Sequence, residues 1–227
     1  MFSFFSAHDL PISANLVDQH SLSLDPYVTR SKIYRGGARF NVESSTQLTQ
    51  KEPDLKDGDK ERFLYELSAE TNSEVTSSRR SYNWLARQDF STDFYDLAKA
   101  GILLVSEYYA VGEITVQALQ YRPTLSAPCL PTPSSVHHDE IEFTSVTVFE
   151  RKNVEGDWFI LTDRSCIGAQ PQDISESHIL TKSQLNPLSN HTIIFNDSQF
   201  GHAVLPIQAI EEPSTRTVLL IDYLRSD

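Results

Sequence analysis

The chain has only two cysteines in 227 residues, Cys129 and Cys166, and no CxxC pair. That scarcity excludes a disulfide framework and a thiolate zinc site. A reduced cytoplasmic setting is therefore expected, with both thiols as buried, inert side chains. Positive charge is also in short supply, since 19 Lys and Arg stand against 31 Asp and Glu, a formal net charge of −12. Such a surface repels nucleic acid and anionic membranes, so the expected partner is a neutral or zwitterionic small molecule. No apolar run reaches the roughly 18 residues of a membrane span. The apolar residues 1–5, "MFSFF", have no basic segment before them, which argues against a secretory signal. No internal repeat is visible, and the chain reads as one domain over residues 1–227. Nothing in the sequence speaks to its oligomeric state.

What is present is ordinary globular material, 39% hydrophobic and 10% aromatic, enough to build a sizeable core. Residues 31–42, "SKIYRGGARFNV", read as a strand with a Gly-Gly bulge or turn. The polar stretch that follows, around 44–61, contains Pro53 and Gly58 and is expected to be a mobile surface loop. Residues 91–109 predict the main helix, with Ser91 as N-cap and Phe94, Leu97, Ile102 and Val105 at helical spacing. Beyond it, "EITVQALQY", "EIEFTSVTVFERKN", "DWFILTD", "HTIIFN", "HAVLPIQAI" and "RTVLLIDYL" are short runs rich in Val, Ile, Thr and Phe between turn-like segments. The pattern predicts a mainly β sandwich or barrel with helical support on one face.

The chemistry concentrates in "PSSVHHDEIEF", residues 133–143. If this segment is extended, alternate side chains share a face, so His137 and Asp139 point together and His138 points away. An imidazole and a carboxylate two residues apart can occupy adjacent positions around one metal. A further ligand must then come from the second half of the chain, where His178, His191 and His202 are the candidates. His202 is preferred, because "NDSQFGHAVLPI" places it just past a turn, at the start of a strand. His178 and His191 read as loop or surface residues. Two histidines and one carboxylate with open positions suit non-haem Fe(II). Arg216, on the last strand, could grip a carboxylate in bidentate fashion.

In this order the motifs resemble the 2-oxoglutarate/Fe(II)-dependent dioxygenase family that includes bacterial L-isoleucine dioxygenase. The resemblance rests on the H-x-D of "SVHHDEIEF", on "KNVEGDWFIL", on "DSQFGHAVLPI" and on "RTVLLIDY", and spans about residues 25–225 if "YRGGARF" and "QALQYRP" are included. It implies a double-stranded β-helix (jelly-roll, cupin-like) barrel, Fe(II) on His137, Asp139 and His202, and Arg216 on the far carboxylate of 2-oxoglutarate. It also implies O2 as oxidant and hydroxylation or sulfoxidation of a small substrate, most readily a free L-amino acid. Glu140 departs from the pattern, which has Gly directly after the metal-binding Asp.

A zwitterionic substrate needs a cationic or amide group for its carboxylate and an anionic group for its ammonium. Arg35, Arg39, Gln120 and Arg122 are candidates for the first, Glu142 or Glu140 for the second, and Phe143 or Trp158 for an apolar wall. Two other readings use the same barrel: a non-catalytic cupin-like metal or small-molecule binding protein, and metal-assisted hydrolysis on zinc. Neither accounts for an arginine placed to hold 2-oxoglutarate.

Overall fold

Alternation along the last strand decides how the layers stack. In Thr215–Arg225, the odd-numbered Leu219, Ile221 and Tyr223 join one hydrophobic core together with Phe94, Leu97 and Ile102 of the helix. Val218, of opposite parity, joins a second core with Leu119, Val146, Phe159, Leu161 and Phe200. A strand buried on both faces in this way is the central strand of a three-layer arrangement, helix on sheet on sheet.

The structure, a computed structural model, describes residues 4–7, 15–28, 31–44, 47–66, 79–187 and 192–226. The strands in chain order are β1 Phe4–Ala7, β2 Ser23–Leu24, β3 Ile33–Ser44, β4 Gln47–Gln50, β5 Leu55–Asp57, β6 Lys60–Glu66 and β7 Arg79–Trp84. Helix α1, Thr92–Val105, follows, and then β8 Val111–Tyr121, β9 Phe143–Lys152, β10 Val154–Gly156, β11 Phe159–Asp163, β12 Ile179–Ser183, β13 Thr192–Phe195, β14 Phe200–Val204, β15 Ile207–Ala209 and β16 Thr215–Arg225. The large sheet runs β1-β13-β9-β16-β8-β3-β7-β6-β5, with β2 and β4 also paired to β3. A small sheet, β12-β11-β14, covers its inner face, and β10 pairs with β15. The fold is mainly β, a jelly-roll with helical support, as the sequence predicts.

α1 is shorter than the predicted 91–109 but starts as expected, with the Ser91 hydroxyl accepting from the Phe94 amide at 3.3 Å. It buries the four predicted apolar residues and also Ala98 and Gly101. Gly101 lets the helix settle on the sheet, because a Cβ there would run into the Tyr223 hydroxyl. Gly101→Ala is therefore expected to destabilise the protein by about 1–3 kcal/mol through overpacking, despite the better helix propensity of alanine. Urea unfolding would show it, and a midpoint at or above that of the parent would contradict this packing.

Two expectations are corrected here. Residues 36–37 form no bulge or turn, since the register of β3 on β8 runs unbroken from Ile33 opposite Tyr121 to Asn41 opposite Glu113. Gly37 is there because the Phe63 ring occupies the space a side chain would need. The stretch 44–61 is not a structureless loop, because its described residues include β4, the edge strand β5 and the start of β6. Their polarity reflects exposure at the sheet edge, and Asp54 pins the turn by accepting from the Leu64 amide at 2.8 Å and pairing with Arg39 at 3.2 Å.

Candidate metal centre and its cavity

His137 and His202 meet through their backbones. The His137 amide donates to the His202 carbonyl at 3.0 Å and the His202 amide donates to the His137 carbonyl at 2.8 Å, an isolated antiparallel bridge between the H-x-D segment and β14. Directly opposed residues of an antiparallel pair put their side chains on one face, so the rings come together with centroids 4.2 Å apart. Asp139, two residues on, returns to the same face. Its carboxylate lies 3.9 Å from His137 Nε2 and 3.7 Å from His202 Nε2. Each residue offers a donor atom, and these atoms lie within 4.8 Å of one another. Two ligands at right angles, each about 2.1 Å from a metal, sit roughly 3 Å apart, so little closure separates this set from coordination.

The tautomers also suit a metal. His137 Nδ1 lies 2.9 Å from the Ser135 carbonyl, which can only accept, so Nδ1 carries the proton and Nε2 turns its lone pair toward Asp139. His202 Nδ1 sits 2.8 Å from Oδ1 of the fully buried Asp197, and Asp197 Oδ2 accepts from the Asp139 amide at 2.5 Å. One carboxylate thus orients two of the three donors. Burial, reinforced by the neighbouring His202 and opposed by Asp139, pushes His137 down to about 4 and keeps it neutral near pH 7. For His202 burial acts in the same downward sense, but Asp197 and Asp139 outweigh it and the net displacement is upward. His138 faces the other way, with Nε2 3.4 Å from Arg164 Nη2. Glu140 has φ 60°, the left-handed backbone that Gly adopts most easily.

The triad borders a cavity shared with Arg216, Arg35 and Arg80. Leu119, Val146, Phe159, Val204, Val218 and Leu220 form its apolar wall. Arg216 is 1% exposed; its Nε is held by Asp157 Oδ2 at 3.1 Å, while Nη2 has no hydrogen-bond partner. A buried guanidinium with an unpartnered nitrogen at the edge of a cavity is fit to receive a carboxylate.

Of the other predicted contacts, only Arg35 borders this cavity. Arg39 lies farther along β3, tied to Asp54, Glu113, Thr115 and the Leu64 carbonyl. Gln120 and Arg122 have the opposite parity to Leu119 and Tyr121 on β8, so they face away; Arg122 donates to Gln120 at 2.6 Å and lies over the Tyr34 ring. Glu142 is ion-paired with Arg225 at the surface. Phe143 packs against Tyr108 and Tyr109, and Trp158 is 37% exposed under Lys182. Among the other histidines, His178 pairs with Asp163 at 2.7 Å, beside Cys166, and His191 lies outside the described residues. Both cysteines are free and buried. Sequence reasoning missed Arg80, Asp157 and Asp197. The first sits in "RRSYNW", where alternate residues are buried, and the last is the carboxylate of the turn before His202.

A family model described as 2OG-Fe dioxygenase matches residues 18–222. The chain belongs to the 2OG-Fe dioxygenases. Such enzymes use Fe(II), 2-oxoglutarate and O2 on a small-molecule substrate, and the two-histidine, one-carboxylate set with a carboxylate-ready arginine fits those requirements. Membership sets aside the non-catalytic binding protein and the zinc hydrolase. Among solved structures, a bsmA homolog from Methylobium petroleophilum PM1 is similar with a TM-score of 0.64 at 17% identity, covering 92% of this dioxygenase and 79% of that chain. IDO from Bacillus thuringiensis gives 0.62 at 13%, covering 88% and 82%. The Fe(II)/α-ketoglutarate-dependent dioxygenase TqaL gives 0.59 at 16%, covering 93% and 74%. At these identities the likeness concerns the fold. No curated protein matches the sequence. No described helix of this dioxygenase is long and apolar enough to cross a membrane.

Proposed function

We propose that this dioxygenase hydroxylates, or sulfoxidises, a free L-amino acid, with Fe(II) on His137, Asp139 and His202 and the far carboxylate of 2-oxoglutarate on Arg216. The observation that carries the reading is the unpartnered, buried Arg216 Nη2 in the same cavity as the three donor atoms. Bound there, iron and 2-oxoglutarate supply the oxidising chemistry, consuming O2 and releasing succinate and CO2. The chain's own part is to bind, orient and exclude. The Ser135 carbonyl holds the His137 proton on Nδ1, Asp197 pairs with His202, Asp157 sets the direction of the Arg216 fork, and the wall of Leu119, Val146, Phe159, Val204, Val218 and Leu220 keeps water from the reacting carbon.

That wall is apolar and suits an aliphatic or thioether side chain, and Arg35 supplies positive charge for a substrate carboxylate. Two measurements test the reading. Anaerobic addition of Fe(II) and 2-oxoglutarate should give a weak visible charge-transfer band. A succinate assay across the free amino acids should then show turnover above background with L-leucine, L-isoleucine, L-methionine or a close relative. Turnover only with peptides, or with molecules lacking an α-amino acid group, would overturn the amino-acid substrate and leave the dioxygenase.

A further inference from the structure

The cavity holds a second positive centre that Arg216 does not explain. Arg80 is 1% exposed and Arg35 4%, and both line the cavity. Arg80 and Tyr82 alternate onto one face of β7, the parallel neighbour of β3, and the Tyr82 hydroxyl accepts from both Arg35 Nη1, at 3.2 Å, and Arg80 Nη1, at 3.5 Å. A neutral hydroxyl satisfies lone protons but cancels no charge. The nearest carboxylate is Asp25, 3.6 Å from Arg35 Nε, and among the described residues no carboxylate lies within ion-pair distance of Arg80. The Nε of both arginines lacks a hydrogen-bond partner. Among the described residues, then, the two buried guanidiniums have one carboxylate between them, Asp25 beside Arg35, which leaves the charge of Arg80 without a described counter-charge. Uncompensated buried charge is costly enough that it points to a missing anion.

The place of this pair in the sheet separates it from Arg216. Arg216 stands opposite Tyr121 on one side of β8, and Arg35 opposite Leu119 on the other side. Their backbones are two strand spacings apart, roughly 10 Å. 2-Oxoglutarate reaching from the metal to Arg216 leaves the Arg35–Arg80 end unfilled. We infer that Arg35 and Arg80, bridged by the Tyr82 hydroxyl, form a subsite for the carboxylate of the primary substrate, so that the enzyme selects an acid and not its amide or alcohol. The inference rests on Arg216 holding the cosubstrate. The edge-to-face contact of Tyr27 with Tyr82, with ring centroids 5.9 Å apart, and the Arg35 guanidinium over the Tyr82 ring at 4.9 Å hold the Tyr82 side chain in place.

The test uses Fe(II)- and 2-oxoglutarate-loaded enzyme kept anaerobic and titrated calorimetrically. The probes are the free amino acids, 4-methylpentanoate, which keeps the carboxylate of leucine without its ammonium, and L-leucinamide, which keeps the ammonium without the carboxylate. Carboxylate probes should bind, and leucinamide should bind at least tenfold more weakly than leucine. Arg80→Gln should weaken the carboxylate probes roughly 10- to 150-fold, the loss of a charged hydrogen bond, while the Kd for 2-oxoglutarate moves less than about twofold. Arg80→Lys should restore part of the loss. Should Arg80→Gln fail to fold, Tyr82→Phe carries the same comparison and should weaken the acids several-fold with the cosubstrate unchanged. Equal affinity for leucine and leucinamide, or no binding by any carboxylate probe, overturns the subsite. So does a variant that loses 2-oxoglutarate and keeps the acids, which would give the arginine pair to the cosubstrate. If 4-methylpentanoate binds and no amino acid does, the subsite stands and the amino-acid reading falls.

Discussion

His137→Ala is expected to abolish 2-oxoglutarate turnover, and His138→Ala to keep most of it, although the two imidazoles are neighbours in sequence. The difference lies in which way each points. His137 is locked by two backbone hydrogen bonds opposite His202, and its Nε2 faces Asp139. His138 turns to the surface side and lies near Arg164. Removing one of three protein ligands leaves the metal a weaker, differently shaped site, and turnover should fall by several orders of magnitude, to background in a succinate assay. Titrating Fe(II) anaerobically in each variant gives the independent reading: the visible band with 2-oxoglutarate should vanish for His137→Ala and persist for His138→Ala. Equal loss in the two variants, with circular dichroism unchanged, would reject the ligand assignment.

The second large effect concerns Arg216. Arg216→Ala removes a charge-assisted contact worth about 2–3 kcal/mol, which corresponds to a rise in the KM for 2-oxoglutarate of roughly 30- to 150-fold. The fold should tolerate the change better than burial alone suggests. Asp157, the carboxylate left behind, remains paired with Arg151 at 3.1 Å and accepts from the Gln184 amide at 3.1 Å, so its charge is not stranded. The prediction is thus a shifted cosubstrate requirement in a protein that still melts cooperatively. A KM equal to that of the parent would remove Arg216 from the 2-oxoglutarate site.

Residues whose role follows from local spacing were legible in the sequence. The helix cap at Ser91, the parity of His137 and Asp139, and the order of the late strands all depend on neighbours a few positions away. The substrate contacts were not, because they depend on which of two sheet faces a residue occupies and how far along the strand it lies. Gln120 and Arg122 were one residue out of phase with the cavity-facing Leu119 and Tyr121, and nothing in "QALQYRP" reveals which phase looks inward. Arg39 has the right phase yet sits too far along β3, among carboxylates that neutralise it. Arg80 was hidden for the opposite reason: its strand joins the sheet by a parallel pairing beyond β3, a long-range contact that no local pattern announces. Glu142 lies just before β9 and pairs with Arg225 of the last strand, a contact between distant segments that the local sequence does not reveal.

Asp197 bears on how the proposed iron site comes into being. In an extended chain the H-x-D segment and His202 are far apart, and bringing them together costs the entropy of closing a long loop. Contacts within the chain help meet that cost, since the paired backbones of His137 and His202 and the single carboxylate beside His202 and the Asp139 amide bring the donors together. A metal held by these three donors adds its coordination energy to those contacts. By mass action the same energy is returned to the fold, which makes iron occupancy and resistance to unfolding two readings of one equilibrium.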